Sequence, residues 1–189
     1  RGLDLEVFLE EHKGDYDQIA ATRKPEYSTS LNSSEDIAII KNRENVGKFF
    51  ILRNKDNSID KIILPVRGYG LWGTLFGYIS IEEDFNTVAG LEFYDHKETP
   101  GLGDKVELRK SDWILSFNGK PLNNPEISKW NVKKDRGDLD QFTGATITPK
   151  AVIHQIAKTL EYFEKDRERL LSAINFSDNP SLGEQAYNE

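Results

Sequence analysis

A small-residue turn among three threonines stands directly before an amphipathic stretch in the last third of the chain. Residues 140–149 read Asp-Gln-Phe-Thr-Gly-Ala-Thr-Ile-Thr-Pro. Thr148 suits a helix N-cap and Pro149 suits the first helical position, so a helix is predicted to begin there. The unpaired N–H groups and partial positive charge of a helix start favour a phosphate. Gly144 and Ala145 leave room for a bulky group to approach the backbone. The segment is therefore compatible with two structures. One is an ordinary capped helix, and the other is a phosphate-bearing ligand beside a hydroxyl that could carry it covalently.

The elements that would position this segment are strands followed by a helix. Residues 48–53 are rich in strand formers, and 59–66 reads as the returning strand of a hairpin. Residues 74–81 and 88–94 form a second such pair. This run of neighbouring strands does not alternate with helices, so it predicts an α+β fold with antiparallel strands packed against helices.

Helical periodicity appears at both ends of the chain. Residues 3–22 mix apolar and acidic positions, and an irregular polar stretch follows at 23–35. A long helix is predicted from about 148 to about 174, because apolar residues recur along it at spacings of three and four. Its apolar face is predicted to contain Val152, Ile156, Leu160 and Phe163.

The organisation indicates one domain over residues 1–189. Within it, 1–22 is predicted to be an N-terminal helical segment and 178–189 a polar tail. The stretch 100–131 is rich in loop residues, and its aromatic side chains are predicted to pin it to the core. These aromatic residues are Trp113, Phe117 and Trp130.

Composition excludes several classes of protein. The 189 residues include 37% hydrophobic and 30% charged residues, which is typical of a soluble globular domain. The net charge of −7 argues against a nucleic-acid partner. There is no cysteine, so disulfides, cysteine-ligated zinc and ordinary iron–sulfur clusters are excluded. No metal site is predicted.

Three segments of the chain resemble the FMN-binding domain family, in the order in which that family has them. Residues 140–146 match the flavinylation motif Asp-x-x-(Ser/Thr)-Gly-Ala-Thr. Residues 98–103, Glu-Thr-Pro-Gly-Leu-Gly, resemble the flavin-pocket loop of the family. Residues 68–77, Gly-Tyr-Gly-Leu-Trp-Gly-Thr-Leu-Phe-Gly, resemble the C-subunit family of the sodium-pumping NADH:quinone oxidoreductases.

The resemblance implies a covalent FMN, attached through a phosphoester to Thr146. Two of the other implied contacts have plain alternatives, since Trp72 could be a core residue and Glu98 a solvent-facing loop carboxylate. The full set of implied cofactor-binding residues is Leu71, Trp72, Glu98, Thr99, Leu102, Gly103, Thr143, Gly144, Ala145 and Thr148.

No residue that could activate the Thr146 hydroxyl stands beside it in the sequence. The nearest histidine, His154, is predicted to be structural, and His96 is predicted to be a surface residue. A threonine hydroxyl is a weak nucleophile without a base or a metal. No catalytic residue is therefore predicted, which agrees with modification by a separate flavin transferase that takes FMN from FAD, as the resemblance implies.

The function implied by the resemblance is electron transfer within a sodium-pumping NADH:quinone oxidoreductase. The chain has no Gly-x-Gly-x-x-Gly dinucleotide fingerprint, so NADH oxidation is expected on another subunit and no activity is expected of this chain alone. Members of the resembled family have an N-terminal transmembrane helix. The chain begins at Arg1 and contains no methionine. We therefore expect a missing N-terminal anchor that places the flavin domain on the periplasmic face of the inner membrane, beside the other subunits.

Other functions fit parts of the pattern. The equivalent G subunit of the ferredoxin:NAD oxidoreductase complex shares the motifs at 98–103 and 140–146, whereas residues 70–73, Gly-Leu-Trp-Gly, favour the quinone reductase. A flavin-bearing extracytoplasmic reductase is a more distant alternative. A non-catalytic module that binds a phosphate-bearing ligand would belong to a different class of protein, and it would lack a flavin absorbance band that survives denaturation.

Overall fold

The computed structural model describes residues 16–36, 38–121, 129–142 and 144–178. The first part of the predicted N-terminal helix, the site residue Thr143 and almost all of the predicted polar tail lie outside these ranges.

A four-stranded antiparallel sheet, whose strands lie side by side in chain order, forms the main layer. The register joins each strand to the next along the chain, as the two predicted hairpins require. The α+β prediction is therefore confirmed. The strands are β3 (Phe50–Arg53), β4 (Ile59–Tyr69), β5 (Thr74–Glu82) and β6 (Val88–Asp95).

The long helix, Ile147–Asp178, packs across one face of this sheet. Alternate residues of β4 point into the interface, and Ile62, Leu64 and Val66 are buried there. This face is hereafter the inner face. The predicted apolar side of the helix is confirmed, since its four residues are all buried: Val152, Ile156, Leu160 and Phe163.

The segment between β6 and the long helix is held by short 3-10 helices, where the sequence predicted loops. They span Gly103–Val106, Asp112–Phe117 and Lys133–Asp135. The predicted role of the aromatic residues is confirmed. All three are buried, and the rings of Trp113 and Phe117 meet edge to face with centroids 5.2 Å apart. Residues of little local regularity therefore become fixed through their contacts with the core.

A small second sheet pairs β1 (Ser28–Ser30) with β2 (Asn42–Glu44). The prediction of an irregular stretch at 23–35 is wrong at β1, because short polar strands carry no hydrophobic alternation. A long-range contact holds this sheet. The Arg67 guanidinium lies 2.5 Å from the carboxylate of Glu44 and donates to the Asn42 carbonyl at 2.9 Å.

Only a short part of the predicted N-terminal helix falls within the described residues. It is the helix Gln18–Ala21, which follows Asp17. The Asp17 carboxylate accepts the N–H of Ile19 at 2.8 Å and so caps the helix. Across the residues given above, no helix has both the length and the apolar character needed to cross a membrane.

Candidate functional site

A cleft of about 270 Å³ opens beside the start of the long helix. Its walls come from three segments that are distant in sequence: the β4–β5 loop, residues 98–103 after β6, and residues 144–148. Every lining residue except Ile147 was predicted from the sequence as a site residue. The lining residues are Leu71, Glu98, Thr99, Leu102, Gly103, Gly144, Ala145, Thr146, Ile147 and Thr148.

The carboxylate of Glu98 joins the three walls. One oxygen, Oε1, accepts the backbone N–H of Leu71 at 2.9 Å and that of Trp72 at 3.2 Å. The other, Oε2, accepts the hydroxyl of Thr148. Glu98 is only 6% exposed, so its interpretation as a solvent-facing carboxylate is wrong. A buried carboxylate needs such donors, and here they come from a loop and from a helix start.

Glycine makes room for this buried carboxylate. A Cβ atom on Gly103 would lie 2.7 Å from Glu98 Oε2 and 2.8 Å from Glu98 Cβ, which is closer than atoms can pack. A Cβ atom on Gly70 would collide with Oε1. The absence of a side chain at both glycines therefore leaves room for the Glu98 carboxylate between the β4–β5 loop and residue 103.

Thr146 and Thr148 have different surroundings at the start of the long helix. The long helix begins at Ile147, so Thr148 lies inside its first turn and the prediction that it is the N-cap is wrong. Its hydroxyl is fully buried and is donated to Glu98. Thr146 immediately precedes the helix and is exposed. The helix start therefore presents the Thr146 side chain to solvent at the mouth of the cleft.

The turn before the helix depends on Gly144. Its φ of +93° lies in the left-handed region that favours glycine. A Cβ atom there would also lie 2.8 Å from a methyl carbon of Leu102. The small residue thus lets the turn approach the 98–103 loop, and this contact closes the cleft on that side.

Apolar side chains surround the mouth of the cleft. Leu71, Leu102 and Ile147 are between 41% and 55% exposed, which is unusual for large apolar residues. Ile147 was missed by the sequence analysis, although an apolar residue between two threonines of the motif was an available signal. Trp72 is 61% exposed and does not line the cleft. It is neither a core residue nor a wall of this slot, and only its backbone is tied to Glu98.

His96 is half-buried beside the cleft, so its prediction as a surface residue is wrong. Its side chain is only 10% exposed. Its Nδ1 accepts the backbone N–H of Glu98 at 3.2 Å, so the proton of a neutral ring sits on Nε2, 3.0 Å from a carboxylate oxygen of Glu107. The Arg109 guanidinium, with a smaller contribution from His96, lowers the pKa of Glu107. The loop that carries Glu98 is thus anchored on its far side.

The segment before Thr146 is anchored through its backbone. The carbonyl of Asp140 accepts the indole N–H of the buried Trp113 at 2.6 Å. The Asp140 carboxylate is exposed and lies 2.9 Å from the ammonium of Lys133. The acidic residue of the motif therefore remains at the surface, while its main chain is fixed to the core.

Among the residues that line the cleft with Thr146, only Glu98 carries a group that could act as a base, and its carboxylate already accepts three hydrogen bonds. Burial, and then the nearby Lys150, lower the pKa of His154, which is not among the residues that line the cleft. The described ranges contain no cluster of three or more His, Asp or Glu residues that could hold a metal ion. The structural role assigned to His154 stays a prediction.

Comparison with known proteins agrees with this geometry. Residues 70–161 match the FMN-binding domain family. The C subunit of the sodium-translocating NADH-quinone reductase from Pseudomonas aeruginosa is 42% identical over 147 residues, which cover 72% of this chain and 55% of that protein. The G subunit of the ion-translocating oxidoreductase complex from Pseudoalteromonas atlantica is 54% identical over 89 residues, which cover 47% and 41%.

A solved structure extends the similarity to the fold. The crystal structure of NqrC from Shewanella oneidensis superposes with a TM-score of 0.71 at 30% identity, covering 84% of this chain and 75% of that one. The chain therefore belongs to the FMN-binding domain family, as the sequence motifs predicted. It spans about half the length of the Pseudomonas and Pseudoalteromonas relatives.

Proposed function

We propose that the chain carries FMN as a phosphoester on the Thr146 hydroxyl and transfers electrons through it, within a sodium-pumping NADH:quinone oxidoreductase. The observation that carries the proposal is the placement of Thr146. It is exposed, directly precedes the long helix, and borders a cleft whose other walls are the two segments that resemble the family.

The helix start is suited to the phosphate. Backbone N–H groups in the first turn have no intrahelical acceptor, and the helix dipole places partial positive charge there. Thr146 stands at this end of a helix of 32 residues, next to the turn at Gly144. The N–H groups of the first turn are therefore the donors that would hold a phosphate esterified to the Thr146 hydroxyl.

The cleft is suited to the flat, largely apolar ring of a flavin. Leu71, Leu102 and Ile147 supply exposed apolar surface around its mouth. Thr99 lines the same cleft and can hydrogen-bond a polar edge of the ring or the ribityl chain. Glu98 holds the walls in place, and its carboxylate is already occupied by three donors from the protein. It therefore acts as a positioning residue.

Attachment to Thr146 balances as a phosphoryl transfer by a flavin transferase. A bond forms between the Thr146 oxygen and the phosphorus of the FMN half of FAD, the pyrophosphate P–O bond breaks, and AMP leaves. The hydroxyl proton passes to a base of the transferase, since Glu98, the carboxylate that lines the cleft, already accepts three hydrogen bonds. An exposed threonine before a helix is accessible to such an enzyme.

A tethered FMN supplies redox chemistry without leaving the protein between turnovers, which suits a relay between neighbouring centres. NADH oxidation is then the task of another subunit. The other subunits of the complex are the expected partners. An N-terminal membrane anchor would hold this domain beside them, on the periplasmic face of the inner membrane.

The G subunit of an ion-translocating oxidoreductase complex is the second candidate, because the relative with that role shows the higher local identity. Similarity to the quinone reductase relative extends over 72% of this chain rather than 47%, and it agrees with the Gly-Leu-Trp-Gly sequence at 70–73. The neighbouring genes decide between the two complexes.

The attachment is tested by co-expressing the chain with a flavin transferase and measuring its intact mass. The unaltered chain is expected to gain the mass of one FMN less water, and Thr146→Ala is expected to gain none. Thr146→Ser keeps a hydroxyl at the same place and is the matched control, expected to retain the adduct. The product should keep its flavin absorbance after denaturation.

The assignment is wrong if Thr146→Ala still carries the adduct, or if peptide sequencing places it on Thr143 or Thr148. A flavin that separates from the denatured chain would indicate a non-covalent binding module instead.

A further inference from the structure

Aromatic side chains form a continuous stripe across the face of the main sheet opposite the long helix, hereafter the outer face. The ring of Phe50 in β3 meets that of Tyr78 in β5 edge to face at 6.0 Å, and Tyr78 stacks on Tyr94 of β6 at 5.3 Å. These residues are 51%, 38% and 60% exposed. Contiguous aromatic surface of this kind on a folded domain indicates a contact with another molecule.

Acidic residues border one end of the stripe. In the strand register Tyr78 lies opposite Glu92, so the two side chains share the outer face. Asp95 lies opposite Phe76 on the same strand pair. Glu92 and Asp95 are exposed, and neither carboxylate has a hydrogen bond or ion pair with another described side chain.

The acidic end of the stripe opens into a second cleft of about 460 Å³. Glu92, Tyr94 and Asp95 form one wall, and Leu108 and Arg109 contribute to the other. The arginine that lines this cleft is already engaged, because the Arg109 guanidinium contacts the carboxylate of Glu107, which also meets the His96 ring. The carboxylates of Glu92 and Asp95 therefore remain available to a cation from outside.

We propose that the outer face docks a protein partner that inserts a lysine or arginine side chain beside Tyr94, between the carboxylates of Glu92 and Asp95. An aromatic ring attracts a cation over its face, and the two carboxylates add charge complementarity. Tyrosine is also among the residues that contribute most to protein interfaces.

Charge distinguishes this partner from a second copy of the chain. Two copies joined through the outer face would bring four carboxylates together, which is unfavourable without compensating cations. Asp95 is three residues before Glu98 in the chain, so a partner on the outer face would lie next to the loop that builds the first cleft. The docking proposal stands whether or not FMN is attached to Thr146.

The test places a photoreactive benzoylphenylalanine at position 94 of the full natural chain in its own cells. After irradiation, cross-linked peptides are identified by mass spectrometry. The expected product joins position 94 to another protein, within a few residues of a lysine or an arginine. Combining the substitution with Glu92→Lys and Asp95→Lys is expected to lower the yield roughly tenfold.

Glu83→Lys provides the control, because Glu83 is also an exposed carboxylate and lies in the turn between β5 and β6. Its cross-linking yield is expected to match that of the unaltered chain. Cross-links to a second copy, to residues 1–15 of the same chain, or to nothing would overturn the proposal. So would a yield that survives the double charge reversal or falls equally with Glu83→Lys.

Discussion

The cleft at the helix start and the cleft beside the outer face differ in the burial and hydrogen bonding of their carboxylates. Glu98 is buried and accepts three hydrogen bonds that join distant segments of the chain. Glu92 is exposed and has no partner among the described side chains. The first arrangement stabilises the walls of a narrow slot. The second leaves charge and aromatic surface available for an external partner.

This contrast separates two kinds of recognition within a single domain. A small ligand is held best by a site whose walls are fixed in advance, because little ordering remains to be done when it binds. A protein partner can instead be met by exposed aromatic and charged side chains on a rigid sheet. The same amino acid therefore has a structural role in one region and a proposed recognition role in the other.

The largest difference in stability between the two regions is expected when Glu98 and Glu92 are each replaced by alanine. Glu98→Ala leaves two backbone N–H groups and the Thr148 hydroxyl without an acceptor, so we expect the free energy of unfolding to fall by about 3 kcal/mol. Glu92→Ala should change it by less than about 0.5 kcal/mol, as exposed substitutions usually do. Urea denaturation of the two variants measures the difference.

Glu98→Gln refines this test, because the amide keeps one acceptor oxygen. It should lower stability less than Glu98→Ala does. Equal stability losses for Glu98→Ala and Glu92→Ala would contradict the structural role assigned to the buried carboxylate.

A smaller contrast is expected from adding one methyl group to a glycine in each region. Gly103→Ala places Cβ against the Glu98 side chain, so we expect a loss of about 1–3 kcal/mol from overpacking. In Gly90→Ala the nearest atom is the Ser80 hydroxyl oxygen at 3.2 Å, the end of a short side chain that can turn away. That variant should stay within about 0.5 kcal/mol of the unaltered chain. Thermal melting compares them, and a Gly103→Ala protein as stable as Gly90→Ala would show that the walls around Glu98 are not tightly fixed.

The smallest effect is expected from pH. Burial and Lys150 lower the pKa of His154 below 6.5, whereas Asp135 opposes this shift. As the pH falls, His154 therefore takes up a proton in the unfolded chain before it does so in the folded one. The free energy of unfolding is lost as the pH falls below about 6.5 toward the folded pKa. On the other side, the pKa of Glu107 is lowered from 4.5, so its contribution is present at higher pH and is lost only in acid below that value.

His154→Asn should therefore flatten the stability profile just below pH 6.5 without changing its acid end. Urea midpoints at a series of pH values provide the measurement. Glu107→Gln is the corresponding variant near the outer face, and it should alter only the acid end of the stability profile. A profile that His154→Asn leaves unchanged near neutrality would exclude His154 as the titrating group.

Most of the fold could be predicted from local patterns. The two hairpins follow from runs of strand formers with polar turns between them, and the long helix follows from its apolar spacing. The cleft residues were found because three motifs resemble one family. By contrast, Ile147 was missed, and the β1 strand could not be seen because three polar residues carry no periodic signal.

By itself, the sequence determined the order of the four main-sheet strands and the long helix, the apolar face of that helix, and the family to which the chain belongs. Only the tertiary structure decided that Glu98 is buried, that Thr148 points inward, and that Trp72 lies outside the cleft. The physical reason is that burial depends on neighbours brought from far along the chain, and 50 residues separate Thr148 from Glu98. A local sequence pattern shows which side chains a segment carries, whereas tertiary packing decides whether each side chain contacts water or another segment.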